Sequence, residues 1–186
     1  MPRRELDFYE TPPHYTAALL NEVNIFGHVY EPCVGDSAIA DELRRLPSVR
    51  KVFTNDIDKK RKADTHFDAR NQMPVNTFDW IVTNPPFSDE FEILSLALDA
   101  CKNVAFLARV SFLEPTNERA DLLENNPPTQ IVVLPRYSFR DNDEGKKATD
   151  NVTCAWLVWH ADGQFRRTSF YGRAKAQTIA TIRSLP

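Results

Sequence analysis

Cysteine and histidine, the residues that build disulfides and most metal centres, are scarce in this sequence. The three cysteines (Cys33, Cys101 and Cys154) lie far apart, and the four histidines are equally scattered. Such spacing contains no CxxC pair and no HExxH motif, so neither a disulfide framework nor a zinc ribbon can be assembled from it. We therefore expect no bound metal, and the odd number of thiols indicates a reducing compartment, the cytoplasm.

Long apolar runs and a large excess of one charge are absent too. No stretch approaches the ~18 consecutive apolar residues of a membrane-spanning helix, and the N-terminal residues lack the apolar segment of a signal peptide. The 23 basic and 26 acidic side chains give a net charge of −3, which excludes a globally basic nucleic-acid coat but not a local basic patch. For 186 residues we expect one soluble domain spanning residues 1–186, with no membrane contact.

Glycine is rare and proline is common, with 5 and 13 residues respectively. Between proline pairs at 12–13, 85–86 and 127–128, short β-rich runs alternate with helical patterns, which predicts an α/β fold with a mostly parallel sheet. Strands are predicted over 28–32, 51–55, 66–68, 78–83, 103–109, 131–134 and 151–160, and helices over 12–24, 37–46, 91–100 and 118–124. The charged segment 141–150 is predicted to be a mobile loop.

The connection between the second and third predicted strands is unusually short. A parallel crossover normally takes ~12 residues or more, and about eight are available here. Either this connection is a bare turn, or the third strand is misplaced.

Two predicted strands end in acidic residues that suit a ligand. The first is followed by the loop 31–37, EPCVGDS, in which Glu31 suits a positive group and Gly35 allows a close approach of the backbone. This loop lacks the three glycines of the dinucleotide-binding GxGxxG motif, and an ordinary strand-to-helix turn is the competing interpretation. The second strand ends at Asp56, which is placed either to accept hydrogen bonds from two ribose hydroxyls or to cap a helix.

The most informative motif is Asn84-Pro85-Pro86-Phe87, directly after the predicted strand 78–83. Two prolines stiffen the turn and remove two backbone donors, so that carbonyl oxygens point outward. With the Asn84 amide and the Phe87 ring, the turn offers acceptors for an amine and an apolar face for a planar ligand. A tight turn with a buried phenylalanine is the alternative, and the polar loops at matching strand ends make it the weaker one.

With these motifs the sequence resembles the class I S-adenosylmethionine-dependent methyltransferases, in particular the N6-adenine enzymes with an Asn-Pro-Pro-aromatic motif. The likeness runs from 9–13 (YETPP) through the loop 31–37, Asp56 and Asp68 to 84–87, and so covers most of the chain. It implies a Rossmann-like domain whose mostly parallel, seven-stranded sheet has an antiparallel last strand and helices on both faces. It also implies S-adenosylmethionine as cofactor and an exocyclic amine, adenine N6 in DNA above all, as methyl acceptor.

The same resemblance implies roles for individual residues. The cofactor would contact Thr11 and Pro12 at its methionine end, Glu31, Cys33 and Gly35 in the cofactor loop, Asp56 at the ribose, Ile57, Asp68 and Ala69 around the adenine, and Asn84 near the methyl group. The catalytic residues would be Asn84, Pro85, Pro86 and Phe87. Asn84 and the Pro85 carbonyl would accept the hydrogens of the amine, and Phe87 would stack on the base.

Substrate recognition has weaker signals. Arg136, Tyr137, Phe139 and Arg140 follow a predicted strand and form a candidate substrate rim. The stretch after Gly163 is basic and aromatic without an acidic residue. This composition suits phosphate and base contacts, or else belongs to a solvated terminal strand and helix.

Besides the short second crossover, two departures from the family pattern stand out, and the second of them leaves the substrate open. Ser37 stands where many relatives carry glycine, and no separate target-recognition domain is expected, so a partner subunit or a homodimer is a candidate source of recognition. DNA is the preferred partner. The alternatives are an RNA base (adenine N6 or guanine N2), a protein glutamine side chain, and a non-catalytic cofactor-binding protein.

Overall fold

The computed structural model describes residues 10–114, 116–138 and 151–172. Helices in these ranges are α1 (Pro13–Glu22), α2 (Ala38–Arg44), α3 (Glu90–Ala100) and α4 (Asn117–Asn125). Strands are β1 (Gly27–Glu31), β2 (Val49–Thr54), β3 (Trp80–Thr83), β4 (Val104–Arg109), β5 (Gln130–Val133), β6 (Tyr137–Ser138), β7 (Asn151–Val152), β8 (Cys154–Trp159) and β9 (Thr168–Phe170). Short 3-10 helices, Phe87–Asp89 and Val110–Leu113, follow β3 and β4.

Seven of the strands form one sheet in the order β2-β1-β3-β4-β8-β5-β9, and β6 pairs with β7 in a separate ribbon. β8 runs antiparallel to both of its neighbours, whereas the other six strands share one direction. The strand predicted over 151–160 is divided into β7 and β8, and β9 follows it in the chain at the edge of the sheet.

Alternating side chains along the strands fill two apolar cores, one on each face of the sheet. Val29 and Val82 join the core that α1 and α2 cover, whereas Tyr30 and Ile81 join the core that α3 covers with α4 at its margin. Every residue of β8 is buried, as expected of a strand covered on both faces. The predicted α/β fold, with a mostly parallel seven-stranded sheet and helices on both faces, is confirmed.

The strand predicted over 66–68 is wrong. Between β2 and β3 the chain makes a single isolated bridge, which joins Asn55 to Thr65. The stretch 56–65, between the two predicted strands, is too short for a crossover, and the Asn55 side chain supplies the missing pairing instead. Its Oδ1 accepts a hydrogen bond from the Phe67 N–H and its Nδ2 donates one to the Phe67 carbonyl, both at 3.0 Å. A buried amide therefore replaces a strand neighbour.

The carboxylate of Glu22, at the end of α1, connects this helix to the edge strand β9. The side chain of Glu22 is 3% exposed, pairs with Arg167, and accepts hydrogen bonds from Ser169 Oγ (2.9 Å) and Tyr171 Oη (2.6 Å). Burial acts to raise the pKa of Glu22, but the hydrogen bonds from Tyr171, Arg167 and Ser169 outweigh it and lower the pKa. The stabilisation from this network is therefore present at neutral pH and is lost as the pH falls through the lowered pKa.

Gly27 begins β1 with a left-handed φ of +74° and has no space for a side chain. A Cβ at this position would lie 2.1 Å from Oδ2 of Asp79, the atom that accepts a hydrogen bond from the His28 N–H. We expect Gly27→Ala to lower the free energy of unfolding by about 2 kcal/mol or more, because it adds backbone strain and displaces a hydrogen-bonded carboxylate. Denaturant titration measures the loss.

Gly163 provides the matched control for this substitution. Its φ of +63° is also left-handed, but nothing lies within 4 Å of the position of its missing Cβ. Gly163→Ala therefore introduces the backbone strain without the collision, and a smaller loss of stability is expected. Equal losses for the two variants would show that Asp79 does not restrict position 27.

Candidate functional site

The carboxyl ends of β1, β2 and β3 surround a cavity of about 460 Å³. Loops leave parallel strands at this edge of the sheet, where α/β proteins commonly bind ligands. The predicted cofactor and catalytic residues on its wall are Thr11, Glu31, Cys33, Gly35, Asp56, Ile57, Asp68, Ala69, Asn84, Pro85 and Pro86. Pro12 and Phe87 do not line it. Pro12 instead is the N-cap of α1, where its carbonyl accepts a hydrogen bond from the Tyr15 N–H (2.9 Å).

Glu31, the last residue of β1, is a buried acid with an unsatisfied oxygen. The residue is 1% exposed, and its Oε2 has no hydrogen-bond partner among the described residues. Burial raises the pKa of Glu31 well above its ordinary value, although the charge of Arg44 and a backbone hydrogen bond from Ala40 act in the opposite direction. A buried carboxylate without a partner is costly, and a positively charged ligand group on this wall would satisfy it.

The loop after β1 is shaped by left-handed residues and by Asp56. Gly35 and Ser37 have φ angles of +52° and +67°, so Ser37 adopts the conformation that glycine takes most easily. Asp56 Oδ2 accepts a hydrogen bond from the Gly35 N–H, and Oδ1 accepts one from the Asp58 N–H, both at 2.8 Å. Asp56 caps a turn rather than a helix. Each carboxylate oxygen can accept a second hydrogen bond, as ribose hydroxyls would require.

Asp68 and Arg70 form an ion pair at the mouth of the cavity. Arg70 Nη2 lies 2.7 Å from Asp68 Oδ2, and Arg70 Nη1 lies 3.8 Å from Asp89 Oδ1 on the opposite rim. Hydrogen bonds from Arg70 lower the pKa of Asp68. The predicted acceptor for an adenine amine is therefore ionised, and a ligand would share it with Arg70.

The turn 84–87, here called the acceptor turn, is attached to the N-terminal segment by Thr11. Asn84 Nδ2 donates a hydrogen bond to Thr11 Oγ1 at 2.9 Å, and Thr11 is 5% exposed. In this bond the Asn84 amide donates through Nδ2, and its acceptor oxygen, Oδ1, is at the other end of the amide. The Pro86 carbonyl accepts a hydrogen bond from the Asp89 N–H (2.9 Å), whereas the Pro85 carbonyl accepts none from the described residues.

Phe87 ends the acceptor turn and packs against the core that α1 and α2 cover. The guanidinium of Arg109, at the end of β4, lies over its ring at 4.9 Å from the centroid. Arg109 Nη2 also donates to the Phe87 carbonyl at 3.3 Å. Phe87 is thus half-buried, with its ring between that core and Arg109, and it does not line the cavity.

The predicted substrate rim is only partly within the described residues. Arg136 is exposed and Tyr137 begins β6, whereas Phe139 and Arg140 lie outside the described ranges, as do the segment 141–150 and the residues after 172. In the basic stretch, Arg166 pairs with Asp162 at 3.0 Å and Arg167 pairs with Glu22. These two arginines therefore have structural partners, and Phe165 is 68% exposed.

The cavity wall is strongly acidic. Its ionisable residues are the acids Glu10, Glu31, Asp36, Asp56, Asp58, Asp68 and Asp89 and the bases Arg61 and Arg70. Arg61 pairs with Asp36 and lies 3.6 Å from Asp58, so both arginines are engaged by neighbouring acids. The sequence motifs missed both arginines, because neither follows a strand end. Their only signal was their position in the connection between β2 and β3.

The sheet order, the single reversed strand and a cavity at the strand ends define a Rossmann-like methyltransferase fold. The chain is similar to a provisionally assigned RNA methyltransferase from Pyrococcus horikoshii (TM-score 0.57, 16% identity, 86% of this chain and 91% of that one). It is also similar to a predicted O-methyltransferase from Agrobacterium tumefaciens (TM-score 0.52, 11% identity, 88% and 85% covered). A type IIG restriction endonuclease, BpuSI, matches at TM-score 0.58 and 13% identity, over 92% of this chain and 27% of that one. No family model and no curated protein matches the sequence.

Within the described ranges, no three or more His, Cys, Asp or Glu side chains are grouped so that they could hold a metal ion. The helices of the described chain include none with the length and apolarity needed to span a membrane.

Proposed function

We propose that the protein is an S-adenosylmethionine-dependent methyltransferase whose acceptor is an exocyclic amine of a nucleic-acid base, with adenine N6 in DNA preferred. The observation that carries the proposal is the hydrogen bond from Asn84 to Thr11 on the wall of an acidic cavity. It orients an amide in a turn that suits an amine, beside a cavity whose charge suits a cationic cofactor. The catalytic residues are Asn84, Pro85, Pro86 and Phe87.

The residues of the cavity fit S-adenosylmethionine better than a dinucleotide. The cofactor carries an ammonium and a sulfonium charge, which the acidic wall attracts, whereas the two phosphates of a nicotinamide dinucleotide would be repelled. The unsatisfied Oε2 of Glu31 suits the ammonium group. Asp56 would hold the ribose, Ile57 and Ala69 the faces of the adenine, and Asp68 its amine.

When bound, S-adenosylmethionine supplies a methyl group on a positively charged sulfur that a nucleophile can displace. Asn84 Oδ1 and the Pro85 carbonyl accept the two hydrogens of the acceptor amine, which turns the nitrogen lone pair out of conjugation and toward the methyl group. The nitrogen would take the methyl group as its bond to sulfur breaks, with the uncharged thioether as the leaving group, and one amine proton, held until then by Asn84 Oδ1 or the Pro85 carbonyl, would pass to solvent. Catalysis thus depends on positioning and on hydrogen bonds in the transition state.

Phe87 favours a planar base over a glutamine amide, because its ring is held beside the acceptor turn. A base in a duplex would have to be flipped out, at a cost of a few kcal/mol that stacking partly offsets. The predicted rim, Arg136 to Arg140, and the basic stretch after Gly163 offer few side chains for reading base edges, so we expect a short recognition motif. A longer site would require a partner subunit or self-association.

The test is transfer of tritiated methyl groups from S-adenosylmethionine to DNA, RNA and protein, followed by nucleoside and amino-acid analysis. Labelled N6-methyldeoxyadenosine is the expected product. Label in RNA alone or in glutamine alone would move the acceptor to the corresponding alternative. If NADH raises the Tm and S-adenosylmethionine does not, the cofactor assignment is wrong.

Binding of S-adenosylmethionine is expected to release a proton from Glu31. Burial raises the pKa of this carboxyl in the free protein, and a ligand ammonium beside it would stabilise the carboxylate and lower the pKa in the complex. Affinity should therefore rise with pH, by up to about tenfold per unit, between the lowered and the raised pKa. Calorimetry in buffers of different ionisation enthalpy counts the released protons.

Glu31→Gln is the informative variant, because it keeps the shape and removes the titration. This variant should bind S-adenosylmethionine more weakly and should no longer release the proton that Glu31 releases in the wild type. Glu92→Gln, at an exposed position in the first turn of α3, is the control and should retain it. Unchanged proton release in Glu31→Gln would assign the linked proton to another group.

A further inference from the structure

Arg109 makes three contacts with the segment that carries the acceptor turn. Its guanidinium lies over the Phe87 ring at 4.9 Å, its Nη2 donates to the Phe87 carbonyl at 3.3 Å, and Nη2 lies 3.8 Å from Oε2 of Glu90. Glu90 is 4% exposed, and its Oε1 accepts a hydrogen bond from the Arg109 backbone N–H at 3.1 Å. The ring and the backbone of Phe87 are therefore held by one planar group from the neighbouring strand.

The two ends of the acceptor turn are held by different parts of the chain. Thr11 holds the Asn84 end, and Arg109 holds the Phe87 end. Arg109 Nε is buried and has no hydrogen-bond partner among the residues that the structure describes. Such an unsatisfied donor is unfavourable in a folded protein and is tolerated mainly where the position of the group matters. A lysine could not replace these contacts, since it lacks the flat fork that covers a ring and reaches a carbonyl at once.

We propose that Arg109 is a positioning residue for methyl transfer, which fixes the Phe87 ring so that an incoming base stacks in register with Asn84. Glu90 supports Arg109, because its carboxylate pairs with the guanidinium and accepts a hydrogen bond from the Arg109 backbone N–H. This inference rests on the proposed function for its kinetic consequences, but its structural core, the dependence of the Phe87 ring on Arg109, does not.

A double-mutant cycle tests the inference through the kinetics of methyl transfer. We expect Arg109→Ala to lower kcat/KM for the base about 10- to 100-fold, as small displacements at a reacting centre do, with unchanged affinity for S-adenosylmethionine. Arg109→Lys should restore little of the loss. Because Arg109 acts through Phe87, adding Arg109→Ala to Phe87→Ala, which keeps only the hydrogen bond to the backbone carbonyl, should lower kcat/KM much less than Arg109→Ala does alone. Full additivity of the two losses would overturn the proposal.

Arg119 offers a control with the same local chemistry. Its guanidinium lies over the Phe112 ring at 5.4 Å and its Nη1 donates to the Ser111 carbonyl at 3.2 Å, but it contacts no residue of the acceptor turn. Arg119→Ala should therefore leave kcat/KM unchanged. A loss equal to that of Arg109→Ala would mean that removing any arginine from an aromatic ring is harmful, and the proposal would fail.

A second readout does not require activity. With 4-fluorophenylalanine in place of phenylalanine, the fluorine resonance of Phe87 is assigned by its absence from Phe87→Leu. Arg109→Ala should shift and broaden this resonance, because the ring loses the cation above it, and Arg119→Ala should leave it in place. If no acceptor is ever methylated, the proposed function fails, while an unmoved resonance in Arg109→Ala refutes the positioning role separately.

Discussion

Asn84→Ala is expected to lower the rate of methyl transfer by about 10²–10³-fold, the usual cost of removing one hydrogen-bonding group that acts in the transition state. The affinity for S-adenosylmethionine should stay close to that of the wild type, because the proposed contact of Oδ1 is to the acceptor amine. The fold should persist, since the hydrogen bond to Thr11 that the variant loses is worth about 1 kcal/mol. Single-turnover kinetics with saturating cofactor measures the rate of the chemical step.

Thr11 variants separate orientation of the amide from its presence. Thr11→Val removes the hydroxyl that accepts from Asn84 Nδ2 and should slow transfer less than Asn84→Ala, whereas Thr11→Ser should remain near wild type. Asn125→Ala, which removes an exposed amide on α4, is the control for loss of an asparagine. An Asn84→Ala protein that keeps half of its activity would place the acceptor site elsewhere.

Asn55→Ala is expected to cost the most stability, about 3–4 kcal/mol. Asn55 is fully buried, and its amide makes four hydrogen bonds at 3.0 Å, to Pro32 O, Phe67 O, Phe67 N and Thr65 Oγ1. Alanine would leave several of these groups unsatisfied in the interior, at about 1–3 kcal/mol for each that water cannot reach. Urea titration measures the loss.

Asn55→Ala should also displace part of the cavity wall, because the segment that Asn55 holds by hydrogen bonds leads directly into Asp68 and Ala69. Ligand affinity is thus expected to fall together with stability. Asn71→Ala is the matched control: this exposed amide makes one hydrogen bond to Asp68 at 3.2 Å, and its loss should stay within about 0.5 kcal/mol. Similar losses in the two variants would show that Asn55 does not support the connection.

The order of helices and strands was predictable because it depends on local patterns. The apolar runs that became β3, β4 and β8 and the helical periodicity of α1 and α3 were visible in the sequence, and their boundaries moved by few residues. The error at 66–68 has a local cause too, since His66-Phe67-Asp68 has strand-like composition. The length of the connection was the better guide, as it permits a turn and one bridge but no crossover.

The site was predictable where a residue ends a strand. Glu31, Asp56 and Asn84 follow three different strands, and parallel strands deliver their carboxyl ends to one edge, so that their meeting around a cavity follows from the pattern alone. Arg61 and Arg70 could not be found in this way because neither ends a strand, and Arg109 ends β4 but gave no sign of its contact with Phe87. Arg61 pairs with the distant Asp36, whereas Arg70 pairs with the neighbouring Asp68 and also lies near Asp89.

The linear sequence was therefore sufficient to predict the class of fold and the positions of the three strand-end loops, including the turn 84–87. All of these depend on local composition and spacing. Contacts between distant segments settled the rest. Thr11 reaches Asn84 across 73 positions, Glu22 reaches Tyr171 across 149, and Glu31 is only 1% exposed in the folded chain. Orientation, burial and charge balance arise from such packing, in which each group's environment is supplied by residues that no local pattern links to it.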